Sequence, residues 1–344
     1  MKNYFMKVLV LVVTVIMLLS VVPVSAESEF CESGLLFDYT IDLSQLDDEF
    51  IEDEDDEFSA LQANFSQTGP YRTTSMRSGS HTIFYPQNLG ANGVKHPIIA
   101  WGNGTGATPS SYTGILNHLA SYGFVVVAAN TTQAGSGREM IQGIDLMISE
   151  NRNSRSTFYN KLDTAAIGVS GHSQGGIGAV AASMSDSRIV CSLPIMGTKT
   201  RSGSVRTPTF ALAGANDRIV TPRMVRSIYT SCTGTAIYAE LRGAGHMVPS
   251  GRSPSRDILN YTVAWFRLYL MNDTSQYDTF FNSRSGIQAD SRWTNVQVKN
   301  APRVPTDPIV TPTPTDPIVT PAPTDPSPER NNWWTRYRFI RLRR

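Results

Sequence analysis

Cysteine is scarce. The chain of 344 residues has three, Cys31, Cys191 and Cys232. So few exclude a disulfide-dense scaffold, and no cysteine or histidine cluster has metal-ligand spacing. An odd count leaves one thiol over; if two pair, Cys191 and Cys232 are the first expected, and three free thiols are the open alternative. Charge of either sign is not in excess either. There are 30 Lys and Arg against 29 Asp and Glu, a net charge of +1. That balance gives no bulk attraction to nucleic acid, and no nucleic-acid partner is expected. Past the first residues no run is apolar enough to span a bilayer. Charged residues make up 17% of the chain and hydrophobic ones 40%, enough to bury a large core.

The charges are unevenly placed. Residues 1–26 combine Lys2 and Lys7 with an apolar run from Val8 to Val22 and a small-residue site, Val24-Ser25-Ala26. That is the pattern of a signal peptide and implies export; a membrane anchor is the alternative. Residues 27–58 form an acidic leader, with Asp47-Asp48-Glu49 and the run Glu52 to Glu57. Like charges repel and stay solvated, so a disordered spacer is expected. Residues 301–329 repeat Pro-Thr-Asp-Pro-Ile-Val-Thr-Pro and near variants, the composition of an extended linker. Residues 330–344, with Trp333, Trp334 and several arginines, form a short basic aromatic tail. A polymer or cell-wall surface is left open as its partner, and no obligate protein partner is inferred.

Residues 59–300 read as one α/β domain. Strand-like runs are His81–Tyr85, Pro97–Trp101, Phe124–Ala129, Ala165–Ser170, Thr209–Ala213 and Thr235–Leu241. Helix-like runs are Ser111–Tyr122, Glu139–Ile148, Gly175–Ser183 and Asp257–Met271. Alternation of this kind predicts a mostly parallel central sheet with helices on both faces, and its continuous apolar runs predict strands buried on both sides.

Gly171-His172-Ser173-Gln174-Gly175 fits the G-x-S-x-G nucleophile elbow. A chain that turns sharply from strand to helix exposes the serine hydroxyl and leaves no room for side chains two positions away, hence the glycines. The pattern alone is weak. Its setting after the apolar run Ala165–Ser170, and before a helix rich in small residues, is what strengthens it.

A serine hydroxyl needs a base. The chain has five histidines. His81 lies in a strand before the elbow, while His96 and His118 read as structural or solvated. His172 sits beside the serine and is expected to line the pocket. His246, in Gly243-Ala244-Gly245-His246-Met247, follows the run Thr235–Leu241 and is the expected base. Asp217, in Ala213-Gly214-Ala215-Asn216-Asp217, falls between serine and histidine and is the expected acid. Asp186 is the competing carboxylate, but it follows a helix. The oxyanion needs two main-chain N–H donors, expected from Gln174 and from Thr105 in Trp101-Gly102-Asn103-Gly104-Thr105-Gly106. That loop lacks dinucleotide-binding spacing. Two-step acyl transfer by such a set calls for no metal and no organic cofactor.

Three further stretches carry a resemblance. Lys161-Leu162-Asp163-Thr164 leads into Ile167-Gly168-Val169-Ser170-Gly171-His172-Ser173. Leu119-Ala120-Ser121-Tyr122-Gly123-Phe124-Val125-Val126 forms a helix-to-strand step. Val263-Ala264-Trp265-Phe266 with Asn272-Asp273-Thr274 and Tyr277 closes the domain. With the elbow they resemble the bacterial polyester hydrolase and cutinase family, which includes the poly(ethylene terephthalate) hydrolases, from about Ser59 to Asn282. The resemblance implies an α/β-hydrolase fold, an ester or polyester substrate, Ser173, Asp217 and His246 as triad, and Thr105 and Gln174 as oxyanion donors. It also implies that Thr105 and Met196 border the substrate. Thr105 stands where members carry an aromatic residue and Gln174 where they carry methionine. A clamping tryptophan is replaced near Met196–Thr198, and Phe281 lies where a cysteine is usual. An ester hydrolase follows from the resemblance more firmly than an aromatic-polyester substrate does. Two rival expectations stand beside a cutinase-like esterase: an acyl esterase on plant cell-wall polysaccharide, suggested by the linker, and a non-catalytic binding protein on the same fold.

Overall fold

The computed structural model describes residues 64–303. The signal peptide, acidic leader, most of the linker, the basic tail and Cys31 lie outside them. Nine strands form one sheet among the described residues, in the order β1-β2-β4-β3-β5-β6-β7-β8-β9. The parallel centre is made of β3 (His96–Gly102), β4 (Val125–Ala129), β5 (Leu162–His172), β6 (Ile189–Ile195), β7 (Thr209–Gly214) and β8 (Ala236–Leu241). Antiparallel strands finish both edges: β1 (Thr73–Ser78) and β2 (His81–Pro86) on one side, β9 (Trp293–Lys299) on the other.

Every residue of β3 and of β4 is buried. Apolar runs of this kind need cover on both faces, and side-chain alternation divides them between two layers. Ile99, Trp101, Val126 and Ala128 point into a core shared with α1 (Thr113–Ser121) and α5 (Arg256–Leu270). Ile98, Ala100, Val125 and Val127 point the other way, against α2 (Arg138–Arg152) and α3 (Gln174–Ser183). Further along that second face, Ala211, Ala213 and Tyr238 pack on Val225 and Ile228 of α4 (Pro222–Ser231). Each fully buried aliphatic or aromatic side chain contributes roughly 1.5–3 kcal/mol, so both layers are needed to hold the sheet.

Strand order fixes where a site can form. β3 pairs with β4 on one side and β5 on the other, so the chain reverses its direction of travel across the sheet there. Ligand crevices in such sheets open at the carboxyl ends of the strands flanking this reversal. Gly102 and Gly171 lie opposite each other at those ends. A Cβ built on Gly175 would stand 1.9 Å from the Gly102 carbonyl oxygen, and one on Gly171 would stand 2.6 Å from it. Three stretches of main chain therefore meet with no room for a methyl group.

Several elements differ from the sequence reading. β1, β6, α4 and β9 are additional. β1 is a polar edge strand with no fully buried residue. β6 carries serine and proline, which disguise a buried strand. Of the two alternatives for Cys191 and Cys232, the pairing does not form: both thiols are free and buried. Cys191 packs in the core beneath α5, whereas Cys232 belongs to the cluster under α4, on the other face of the sheet. The Cys232 thiol donates to the Ile228 carbonyl at 3.2 Å.

Gly175→Ala is expected to destabilise the domain by more than about 3 kcal/mol, because the new methyl group meets main chain that cannot yield. Gly245→Ala, where a Cβ meets nothing within 4 Å, serves as the control. Thermal unfolding of the two variants checks this, and equal midpoints would sink it.

Candidate active site

Ser173 caps the N-terminus of α3 with φ 55° and ψ −117°. A non-glycine residue there is strained by about 1–3 kcal/mol and persists only where its surroundings over-determine it. They do so here: the Ser173 N–H donates to the Ile195 carbonyl at 3.0 Å, its carbonyl accepts from Ile177 N–H at 3.1 Å, and the glycine contacts close in on both sides. Serine in this position usually caps its helix with its side chain. The Ser173 hydroxyl makes no capping bond and points elsewhere.

It points at His246. Ser173 Oγ lies 2.9 Å from His246 Nε2, and His246 Nδ1 lies 2.7 Å from Asp217 Oδ2. A carboxylate only accepts, so Nδ1 carries the proton and Nε2 presents its lone pair to the hydroxyl. The Asp217 side chain is fully buried and that of His246 nearly so. Burial pushes the Asp217 carboxyl up. The His246 hydrogen bond and charge, with the N–H groups of Ile219 and Val220, outweigh burial and hold it below its usual value. Asp217 accepts from those two N–H groups at 2.8 and 2.9 Å, so its carboxylate is anchored independently of His246. The competing Asp186 pairs with Arg188 instead.

The Asn103–Gly106 loop crosses in front of Ser173. A Cβ built on Gly104 would lie 3.6 Å from Ser173 Cβ. Asn103, fully buried, anchors the loop through its side-chain N–H to the Ala129 carbonyl at 2.6 Å. Among the described residues the Thr105 N–H donates to no backbone carbonyl. Gln174 N–H, in the first turn of α3, has no partner within its helix. Two free N–H groups thus flank the serine.

Two expected pocket residues are placed differently. His172 does not line a surface: it is 1% exposed. Its Nδ1 lies 2.9 Å from the Tyr112 hydroxyl and its Nε2 2.7 Å from the His246 carbonyl. Burial, then the neighbouring His246, lowers its pKa to about 3, so it is neutral. Met196 has no solvent exposure and a φ of 47°. Its N–H is held by the Leu212 carbonyl and its side chain reaches Gly214, so it supports the Asp217 loop from below. The Gln174 side chain turns away, accepting from Ala134 N–H at 3.0 Å and donating to Gln133 at 2.9 Å. Of the other histidines, His96 donates to the Gly123 carbonyl and His118 to that of Phe65. Both are buried bracing residues. Tyr112, Asn103 and exposed Met247, beside His246, were not singled out from sequence. Tyr112 follows a Pro-Ser-Ser turn with no pattern to mark it, and its role emerges only in three dimensions. Among the described residues no group of three or more His, Cys, Asp or Glu is arranged to hold a metal ion.

A parallel sheet covered on both faces, with a strained elbow at its topological reversal, defines an α/β-hydrolase. The chain belongs to the PET hydrolase-like family, whose sequence model matches residues 56–297, and is a carboxylic ester hydrolase. It is 27% identical to Lipase 1 of Moraxella sp. (strain TA144) over 245 residues, 67% of this chain and 72% of that one. It is 28% identical to Cutinase 2 of Thermobifida cellulosilytica over 229 residues, 61% of this chain and 83% of that one. Cutinase cut1 of Thermobifida fusca is likewise 28% identical, over 61% of this chain and 68% of its own.

Stability should fall on acidification. Burial lowers the pKa values of His172, His96 and His118 in the fold. The unfolded chain therefore binds protons that the folded one refuses, and stability falls as pH drops below 6.5, the ordinary value. For His172 alone the fall is about 1.4 kcal/mol per pH unit, down to its folded value. Thermal midpoints measured between about pH 7 and pH 4 are expected to drop steadily, and less steeply in His172→Gln. Parallel curves would remove His172 from this account.

Proposed function

We propose that this ester hydrolase is an exported serine esterase that cleaves short-chain esters or polyesters through Ser173, His246 and Asp217. The observation that carries the reading is the unbroken line Ser173 Oγ–His246 Nε2 and His246 Nδ1–Asp217 Oδ2, at 2.9 and 2.7 Å. It meets the geometric requirement for an activated nucleophile. Export rests on the N-terminal sequence pattern. Among the described residues no helix is long and apolar enough to cross a membrane.

In this mechanism His246 Nε2 takes the Ser173 proton as Oγ attacks the ester carbonyl. The N–H groups of Thr105 and Gln174 receive the oxyanion, aided by the positive end of α3. Asp217, held ionised, keeps the imidazole in its Nδ1–H tautomer and stabilises the imidazolium. His246 then protonates the leaving alcohol. Water, deprotonated by the same nitrogen, cleaves the acyl-enzyme through a second oxyanion and regenerates Ser173. Exposed Met247 supplies a soft apolar wall for the acyl or alcohol chain.

Hydrolysis of p-nitrophenyl acetate, butyrate and palmitate tests the reading. Turnover is expected to favour the short esters. It should fall at least about a thousandfold in Ser173→Ala and roughly ten-thousandfold in Asp217→Asn. Activity that survives in folded Ser173→Ala would overturn the assignment.

A further inference from the structure

A second file of hydrogen bonds passes beneath the first. Gly104 N–H donates to the Tyr112 hydroxyl at 3.0 Å. Tyr112 Oη lies 2.9 Å from His172 Nδ1, and His172 Nε2 lies 2.7 Å from the His246 carbonyl oxygen. The direction of every bond is forced. A carbonyl only accepts, so Nε2 carries the His172 proton. A neutral imidazole then offers a bare Nδ1, so the Tyr112 O–H must donate to it. The phenol oxygen keeps a lone pair for Gly104 N–H. No donor or acceptor in the file is left over. Its members are buried: Tyr112 is 2% exposed and His172 1%.

The two ends matter more than the middle. Gly104 adjoins Thr105, whose N–H is one proposed oxyanion donor. The carbonyl at the other end belongs to His246, the proposed base. The loops carrying them lie more than a hundred residues apart in sequence, and this file joins them through the elbow residue itself. Packing alone would not need it, since phenylalanine at 112 fills the same space. The His172 and His246 rings lie 4.7 Å apart. A proton on His172 would therefore oppose the imidazolium that forms on His246. The Tyr112 hydroxyl occupies the only site where that proton could bind. Burial raises the Tyr112 pKa against the Gly104 hydrogen bond, so its O–H remains a donor.

We propose that Tyr112 and His172 are positioning residues for ester hydrolysis. They set the Thr105 oxyanion donor and His246 at fixed relative positions, and they keep an uncharged ring beside the base. The inference rests on the serine-esterase reading above.

The test is steady-state hydrolysis of p-nitrophenyl butyrate by wild type, Tyr112→Phe, His172→Phe, their double variant, His172→Gln and Ser173→Ala, each checked for folding by its thermal midpoint. Tyr112→Phe is expected to lose about 10- to 100-fold in kcat, with KM changed by less than about threefold. Because the two residues act as one unit, the double variant should be within about twofold of the slower single one. His172→Gln, which keeps a donor for the His246 carbonyl, should recover at least about tenfold over His172→Phe. Nitrogen-15 histidine spectra should show His172 as the Nε2–H tautomer, with Nδ1 gaining a proton at higher pH in Tyr112→Phe. Folded Tyr112→Phe with wild-type kcat, or losses that multiply in the double variant, would overturn the proposal while an inactive Ser173→Ala left the esterase reading standing. Activity in Ser173→Ala would overturn both. Should Tyr112→Phe not fold, equal rates in His172→Gln and His172→Phe would overturn it.

Discussion

Gly102, Gly171 and Gly175 bring the end of β3, the end of β5 and the first turn of α3 within main-chain contact, and the site depends on that approach. The strain at Ser173 is tolerable only because its neighbours cannot move away from it. The contact also brings the Asn103–Gly106 loop to the serine, since that loop leaves β3 one residue after Gly102. With main chain packed against main chain, the loop and the first turn of the helix are held close to the serine. Any side chain inserted between them would part the loop from the helix. Local backbone strain, helix orientation and the position of the Asn103–Gly106 loop thus share one cause.

Two neighbouring imidazoles then divide the electrostatic work. His246 is tied to a buried carboxylate that is held ionised, so a positive charge on its ring finds a compensating partner. His172, in contact with that ring, has no carboxylate; its partners are a phenol and a carbonyl. Burial keeps it neutral. The same residue type is the proposed base in one environment and a brace in the other, and burial together with the hydrogen-bond partners separates the two. A buried ring that refuses protons makes the fold less stable in acid, so the arrangement that protects the proposed base also limits the pH range of the domain.

The parallel strands were legible because burial on both faces demands continuous apolar runs, as in Val125–Ala129. The elbow was legible because close backbone approach demands glycine at fixed offsets. The edge strands were not: β1 and β9 bury at most one face, and Thr73–Ser78 has no apolar period to find. β6 escaped because Ser192 and Pro194 interrupt a run that is nonetheless buried. The order Ser173, Asp217, His246 could be read from loops at strand ends. The positions of Tyr112 and Met196 could not, because each is fixed by contacts across the sheet that leave no mark along the chain. The choice between paired and free thiols was no more legible: Cys191 lies on β6 in the core beneath α5, while Cys232 directly follows α4 and packs in the cluster on the other face.

Thr105 and Gln174 depart in their side chains from what the resemblance implies at these positions, yet the chemistry proposed for them uses only their main-chain N–H groups. A backbone donor keeps its direction whatever side chain it carries, provided the loop and helix stay where the glycines hold them. Catalysis and the shape of the pocket wall can therefore vary independently at these two positions. Gln174 makes the point directly. Its main-chain N–H makes no bond within its helix, while its side chain accepts from Ala134 N–H, donates to Gln133 and fastens the loop before α2. A polar side chain at this position therefore ties down the loop before α2 without using the main-chain N–H proposed to hold the oxyanion.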